Sequence, residues 1–249
     1  EKERFTMELW KKIVDEEGQE ILDLILTLLV NFYYAELDII NVCGRWIPRR
    51  TVLDEKLMLV EHAWDEMRHA QHFRDGVEAL GLKWDELDKD KYYLPDQSTR
   101  FSKLLNSDDE IEVLVGLNLY SEGVLAMEEL AQLHHNKPEY FPKFGEILTE
   151  EGRHLKFGIT VARRRFKESE EARAKAQEYC DQFVNHLQKY LWEDINDAID
   201  LGIHLRYLDP DYRMKAVKRF ENVMSAVNLS VNWPATGPLS EARLAAAHN

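Results

Sequence analysis

One arrangement of acidic and imidazole side chains occurs twice in this sequence. Glu66 and His69 form a Glu-x-x-His motif, and Glu151 and His154 form a second one. Both motifs lie in segments whose apolar residues recur every three or four positions, which is the helical pattern. Residues three apart share one face of a helix, so each motif points a carboxylate and an imidazole in the same direction.

A further glutamate precedes each motif at nearly the same distance. Glu36 lies 30 positions before Glu66, and Glu122 lies 29 positions before Glu151. Both interrupt an apolar helix face, where an ionised carboxylate is costly unless it pairs with a cation. A di-metal four-helix bundle requires this set, with one Glu from each of two helices and a Glu-x-x-His from each of the other two. The predicted metal ligands are Glu36, Glu66, His69, Glu122, Glu151 and His154.

The ligand types indicate which metal the site would hold. Carboxylate oxygens with two imidazoles suit iron or manganese better than a metal that prefers thiolates, and no cysteine accompanies the motifs. We therefore expect two iron ions, with manganese at one or both positions as the alternative. Any single member of the set is equally acceptable as a helix carboxylate or a core histidine, and the argument for a site depends on all six at matched spacing.

Residues beside the motifs are candidates for supporting roles. Metal-bound histidines usually donate their second ring N–H to a carboxylate or carbonyl, so Asp65 and Glu150 are candidate partners, with surface acids as the alternative. Tyr33 and Tyr120 lie near Glu36 and Glu122 and are candidate hydrogen-bond donors or redox-active groups, although core packing is the simpler interpretation. The remaining histidines near the motifs are interpreted as polar or core residues: His62, His72, His134 and His135.

Helical spacing extends over most of the chain, and strict apolar alternation is hard to find. Six helices are predicted, roughly over residues 15–43, 49–81, 107–135, 142–167, 175–206 and 209–228. Gly44 is the expected stop of the first helix, and Ser107 with Glu110 the expected capping box of the third. The irregular connection over 82–106, which contains Pro95, fits a bundle with one long crossover between two helical hairpins.

The predicted fold class is therefore all-α: a ferritin-like four-helix bundle with one long crossover and additional C-terminal helices. We expect a single di-metal domain over residues 1–231, followed by a surface tail over 232–249. The two helices after residue 167 are rich in aromatic residues. They are expected either to enclose an apolar substrate pocket or to serve packing and dimerisation, so a homodimer is a further expectation.

Composition restricts the partners and the compartment. The net charge of −14, from 46 acidic and 32 basic residues, opposes binding to nucleic acid or to an anionic membrane. The longest apolar stretch, 21–35, contains Asp23, Thr27 and Asn31, which predicts a buried core helix rather than a membrane span. Two distant cysteines and an N-terminus without the basic-then-apolar order of a signal peptide favour a cytoplasmic location.

The chain resembles the ferritin-like di-iron oxygenases, and within them the catalytic-subunit type of phenylacetyl-CoA epoxidase. In the first half the likeness extends over about residues 28–87, through Glu36 and the segments 44–47, 65–69 and 78–87. In the second half it rests on Glu122 and the segment 150–158. The ligand spacing also resembles that of the aldehyde-deformylating oxygenases. These ligands are specific to the superfamily and not to a substrate.

This resemblance implies an enzyme that uses reduced iron and O₂ as co-substrate to oxidise a small organic molecule. The four glutamates would terminate or bridge the metals, and His69 and His154 would bind one metal each. The reaction consumes electrons, and the sequence shows no flavin or iron-sulfur motif, so an external reductase or ferredoxin is implied. Two other classes stay open: a ferritin-like protein that stores or oxidises iron without an organic substrate, and a non-catalytic scaffold subunit.

Overall fold

The computed structural model describes residues 12–16, 18–94, 103, 104 and 106–247. Every regular element within these ranges is helical, and none of the residues in them forms a strand. The all-α prediction is therefore confirmed. The chain divides into two compact units, residues 1–107 and residues 108–249.

The first unit is built on a hairpin of two long helices. These are α1 (Gln19–Trp46) and α2 (Leu53–Ala79). The rings of Phe32 and Phe73 lie 5.2 Å apart, and Glu36 lies opposite His69, so the two helices run antiparallel. The side chains that α1 and α2 turn towards each other include the predicted ligands of this unit.

The connection between α1 and α2 differs from the prediction. Gly44 does not end the first helix, because α1 continues to Trp46 and is followed by a 3-10 turn over Ile47–Arg49. Pro48 within that turn cannot continue an α-helical hydrogen-bond ladder, which explains where α1 ends. The end of α2 agrees with the prediction, since Gly81 adopts the left-handed conformation (φ 85°) just beyond it.

The predicted irregular connection begins with ordered structure. A 3-10 turn over Trp84–Glu86 precedes a short helix, Lys89–Tyr92. Asn31 of α1 anchors this segment, donating to the Tyr92 carbonyl at 2.8 Å and accepting from the Leu94 amide at 2.9 Å. Pro95 and the rest of the connection up to residue 102 lie outside the described residues.

Helix α1 also meets a simple membrane criterion. Together with the 3-10 turn it spans Gln19–Arg49, and this segment is long and apolar enough to cross a membrane. Residues beyond 35 make the segment longer than the stretch 21–35 indicated, and one face of α1 is buried, as expected of a core helix. The core helix of a soluble protein passes the same test.

The second unit contains six helices among its described residues. They are α3 (Glu110–Val113, continuing as a π-helix over Leu114–Ala126 and as α-helix over Met127–Asn136), α4 (Phe144–Glu168), α5 (Glu170–Lys189, ending in a π-helical turn Tyr190–Asp194), α6 (Asn196–His204), α7 (Tyr212–Ala226) and α8 (Pro238–Ala247). The predicted capping box at Ser107 is wrong. The cap of α3 is Asp109, whose carboxylate accepts from the Ile111 amide at 3.0 Å.

Two further differences concern the C-terminal third. The predicted fifth helix is interrupted at Ile195, where the backbone leaves the helical region, and Arg213 binds the Leu191 carbonyl at 3.0 Å beside this break. The predicted surface tail contains α8, and its Leu239 is buried. Helix ends that are fixed by side chains from distant residues leave little local signal in the sequence.

Helices α5 and α7 pack against the π-helical part of α3. Tyr120, which is fully buried, has its ring 4.5 Å from that of Phe183 on α5 and 5.8 Å from that of Phe220 on α7. Phe183 and Phe220 of the added helices are therefore used in packing within this unit. This supports the packing interpretation that the sequence left open.

Candidate metal centre

In the first unit, α1 and α2 bring three predicted ligands together. Glu36, Glu66 and His69 each offer a donor atom, and these atoms lie within 4.8 Å of one another. His69 Nδ1 is 3.2 Å from Glu66 Oε2 and 3.9 Å from Glu36 Oε1. All three residues are buried. Two buried carboxylates with an imidazole between them form an arrangement that a cation would stabilise.

His62 belongs to the same cluster, which sequence reasoning did not foresee. Its Nε2 lies 3.0 Å from Glu66 Oε1, and the residue is 1% exposed. Positions 62, 66 and 69 share one face of α2, since they follow the four-and-three spacing of a helix. That spacing is visible in the sequence and is the signal that points to His62 as a further ligand.

In the second unit, α3 and α4 bring the other three predicted ligands together. Glu122 and His154 offer donor atoms within 4.8 Å of each other, and His154 Nδ1 lies 3.5 Å from Glu151 Oε2. All three are buried. Glu122 lies in the π-helical segment of α3, a distortion that is frequent at functional sites because it redirects side chains.

A close approach of α3 and α4 positions Glu122. Asn118 donates from Nδ2 to Glu122 Oε2 at 3.2 Å. A Cβ atom at Gly158 of α4 would lie 2.6 Å from the Asn118 Cβ, well inside van der Waals contact. Glycine at this position lets α4 pass directly over Asn118.

The acidic residues that precede the motifs are buried, which contradicts their interpretation as surface acids. Asp65 lies 3.2 Å from Arg68, and Glu150 lies 3.7 Å from Arg153. Each arginine occupies the same place in its own motif, so the two halves of the sequence repeat this ion pair. That Asp65 and Glu150 orient ligand histidines remains a prediction.

The two tyrosines near the ligands differ in their surroundings. Tyr33 packs against Trp84, with ring centroids 4.4 Å apart. The Tyr120 hydroxyl lies 2.6 Å from His186 Nδ1 on α5, and the neighbouring Tyr190 donates to Glu129 at 2.7 Å. Tyr120 is thus a hydrogen-bonded core residue, in agreement with the simpler of its two interpretations.

The donor set in each unit fits a divalent cation. Two carboxylates carry the charge that one divalent ion neutralises, and mixed oxygen and imidazole nitrogen ligands are those that iron and manganese accept. The cysteines are buried at other positions, and burial raises the pKa of the Cys180 thiol to about 12, so it stays protonated. The chemistry of the site is therefore that of carboxylate and imidazole.

A cavity of about 740 Å³ opens among α3, α4 and α7 in the second unit. Its charged lining is paired internally, with Arg219 2.9 Å from Glu128 and Lys215 2.5 Å from Asp209. The cavity is open and carries charged side chains along its lining, unlike the enclosed apolar pocket that the sequence names as one possibility for a substrate.

Comparisons with solved structures establish a ferritin-like helical fold for this chain. An R2-like ligand-binding oxidase variant with an aerobically reconstituted Mn/Fe cofactor superposes with a TM-score of 0.70 at 20% identity, covering 92% of this chain and 87% of that one. A second variant, with an Fe/Fe cofactor, gives the same score and identity over 92% and 86% of the two chains. An R2-like ligand-binding oxidase without metal cofactor gives 0.62 at 22% identity, over 82% of each chain. No protein-family model and no curated protein matches the sequence.

Proposed function

We propose that this protein is a non-haem di-iron or mixed Fe/Mn oxygenase or oxidase. In this proposal Glu36, Glu66 and His69 of the first unit and Glu122, Glu151 and His154 of the second serve one centre of two metal ions. The observation that carries it is the buried acid and imidazole cluster in each unit. The Fe/Fe and Mn/Fe cofactors of structural neighbours give it independent support.

The bound metals would supply electron transfer to O₂, while the chain positions and shields them. Nδ1 of His69 and of His154 is the ring atom that faces the glutamate of its own motif, and Asn118 holds one oxygen of Glu122. Burial of the ligands excludes water from the oxidising centre, which an oxygenase needs to protect reactive species. The substrate is proposed to be a small organic molecule, with electrons from an external reductase or ferredoxin.

The resemblance to phenylacetyl-CoA epoxidase supports an organic substrate and an oxygen-inserting reaction, within the broader oxidase class. A ferritin-like metal-handling protein is the second candidate. It is favoured by one observation, the packing of α5 and α7 on Tyr120, which accounts for the added helices without a substrate pocket.

A cytoplasmic homodimer is part of the proposal. Five large apolar side chains lie exposed along α2: Leu53, Leu57, Val60, Trp64 and Met67. Their spacing alternates between four and three residues, which is the pattern of a helix–helix seam. A second copy of the chain would bury this stripe, and the net charge of −14 makes nucleic acid or an anionic membrane an unsuitable partner.

Metal stoichiometry and O₂ consumption test the proposal. Purified protein should bind about two equivalents of iron or manganese, with a metal separation of about 3.5–4 Å by X-ray absorption. Glu122→Gln should lose metal binding and metal-dependent O₂ consumption while circular dichroism stays helical. Glu128→Gln is the matched control, because Glu128 is a buried glutamate of the same helix that pairs with Arg219.

Two results would contradict the oxygenase proposal. One is binding of a single equivalent by histidine alone. The other is storage of many iron ions per chain in a mineral core, together with an oxidised form of the metal centre whose decay rate is unchanged by acyl, aryl and amine compounds. This second result would favour the metal-handling candidate.

A further inference from the structure

The first unit holds a second buried imidazole beside Glu66. His69 Nδ1 lies 3.2 Å from Oε2 of that carboxylate, and His62 Nε2 lies 3.0 Å from Oε1. Each oxygen of Glu66 therefore has its own imidazole nitrogen alongside it. Glu66 is 0% exposed and His62 is 1% exposed, so neither group is solvated by bulk water.

These distances suit a hydrogen-bonded pair and equally suit two ligands bound side by side on one ion. A six-coordinate ion that holds its ligands at about 2.1 Å and at right angles keeps neighbouring donor atoms about 3.0 Å apart. If Glu66 were to hold one metal by each oxygen, His69 beside Oε2 and His62 beside Oε1 would supply one imidazole to each ion, both from α2.

The second motif shows that packing alone does not require a histidine at this position. The residue four places before Glu151, equivalent to His62 in the first motif, is Ile147, and it is fully buried. Burying an imidazole costs more than burying an isoleucine of similar size unless a polar partner compensates. The difference between the motifs therefore points to a chemical role for His62.

We propose that His62 is a third imidazole ligand of the metal centre, bound through Nε2 to the ion next to Glu66 Oε1. This inference rests on the proposed function and changes its ligand set from two histidines to three. Neutral imidazole adds a nitrogen donor without adding charge. Because imidazole suits iron while carboxylate suits manganese, His62 should raise the preference of its ion for iron.

The test counts histidine ligands directly. In protein loaded with Co²⁺ at both positions, each ligand histidine keeps one ring N–H, which gives a strongly shifted proton NMR signal that disappears in D₂O. Three such signals are expected in the wild type and two in His62→Gln. Competition between Fe²⁺ and Mn²⁺ should also show a several-fold lower preference for iron in that variant.

His72→Gln is the matched control, because His72 lies one turn beyond His69 on α2 and is less buried. It should retain three signals and the wild-type metal preference. Two signals in wild-type protein that binds two metals would overturn the role of His62 and leave the proposed function standing. A third signal that is lost in His72→Gln would also overturn it.

The wild-type count decides the question even if His62→Gln fails to fold. If the wild type binds fewer than two metals, the proposed function itself fails. The two failures are therefore distinguishable.

Discussion

Two identical substitutions on α4 should have opposite effects on stability. At Gly158, the Cβ of alanine would lie 2.6 Å from the Asn118 Cβ, whereas at Gly152 it would meet nothing within 4 Å. Optimal carbon–carbon contact is about 3.5–4.0 Å, so Gly158→Ala requires a displacement of about 1 Å at the crossing of α3 and α4. The contacted atom is a Cβ, which cannot swing aside without moving its backbone.

The magnitude follows from two terms. Overpacking of this kind costs about 1–3 kcal/mol. Alanine in place of glycine inside a helix contributes about 0.5–1 kcal/mol in the opposite direction, and it does so at both positions. Gly152→Ala should therefore stabilise the protein, and the difference between the two variants isolates the clash at about 1–3 kcal/mol.

Thermal unfolding of the two metal-free variants measures this difference. For a chain of this size each kcal/mol corresponds to about 2–4 °C in Tm, with Gly158→Ala melting below Gly152→Ala. Metal titration gives a second readout, because moving Asn118 weakens its hydrogen bond to Glu122 and should lower metal affinity in Gly158→Ala. Equal Tm values for the two variants would show that α3 and α4 do not approach as closely as the structure indicates.

Three further outcomes are expected. Asp109→Ala should destabilise the protein by about 0.5–2 kcal/mol at neutral pH, since it removes the cap of α3. Burial of the Asp109 carboxyl opposes its ionisation, but hydrogen bonds from Lys175, Tyr179 and the Ile111 amide outweigh burial and lower its pKa below 3.8. The stabilisation is therefore present above pH 3.8 and is lost as the pH falls through the folded-state pKa. The free energies of unfolding of wild type and variant, measured in urea, should therefore converge in acid. A difference between them that stays constant with pH would contradict this. Trp64→Glu should convert a homodimer to monomer in light scattering with unchanged helicity, and a wild-type monomer would refute the seam on α2. Tyr120→Phe should lower the unfolding free energy by about 0.5–1.5 kcal/mol through loss of its bond to His186, whereas unchanged stability in chemical denaturation would show that this bond contributes nothing.

The all-α class and the long helices could be predicted from the sequence, because helical spacing of apolar residues is a local and repeated signal. Helix ends were less predictable. Gly44 looks like a stop but lies within α1, and Ser107 looks like a cap while Asp109 fulfils that role with help from Lys175 and Tyr179 on α5. The end of α1 follows from the nearby Pro48, whereas the start of α3 depends on side chains that are distant in sequence.

For the site, the sequence by itself determined the ligand types and their duplication, since Glu-x-x-His on a helix sets which side chains share a face. Whether Glu36 lies opposite His69, and which oxygen of Glu66 each imidazole approaches, depends on how α1 and α2 pack and on side-chain rotamers. His62 shows the same limit. Its spacing from Glu66 puts both residues on one face of α2, but only the three-dimensional arrangement places its Nε2 against the carboxylate, because a distance of 3.0 Å is a property of packed side chains and not of spacing along the chain.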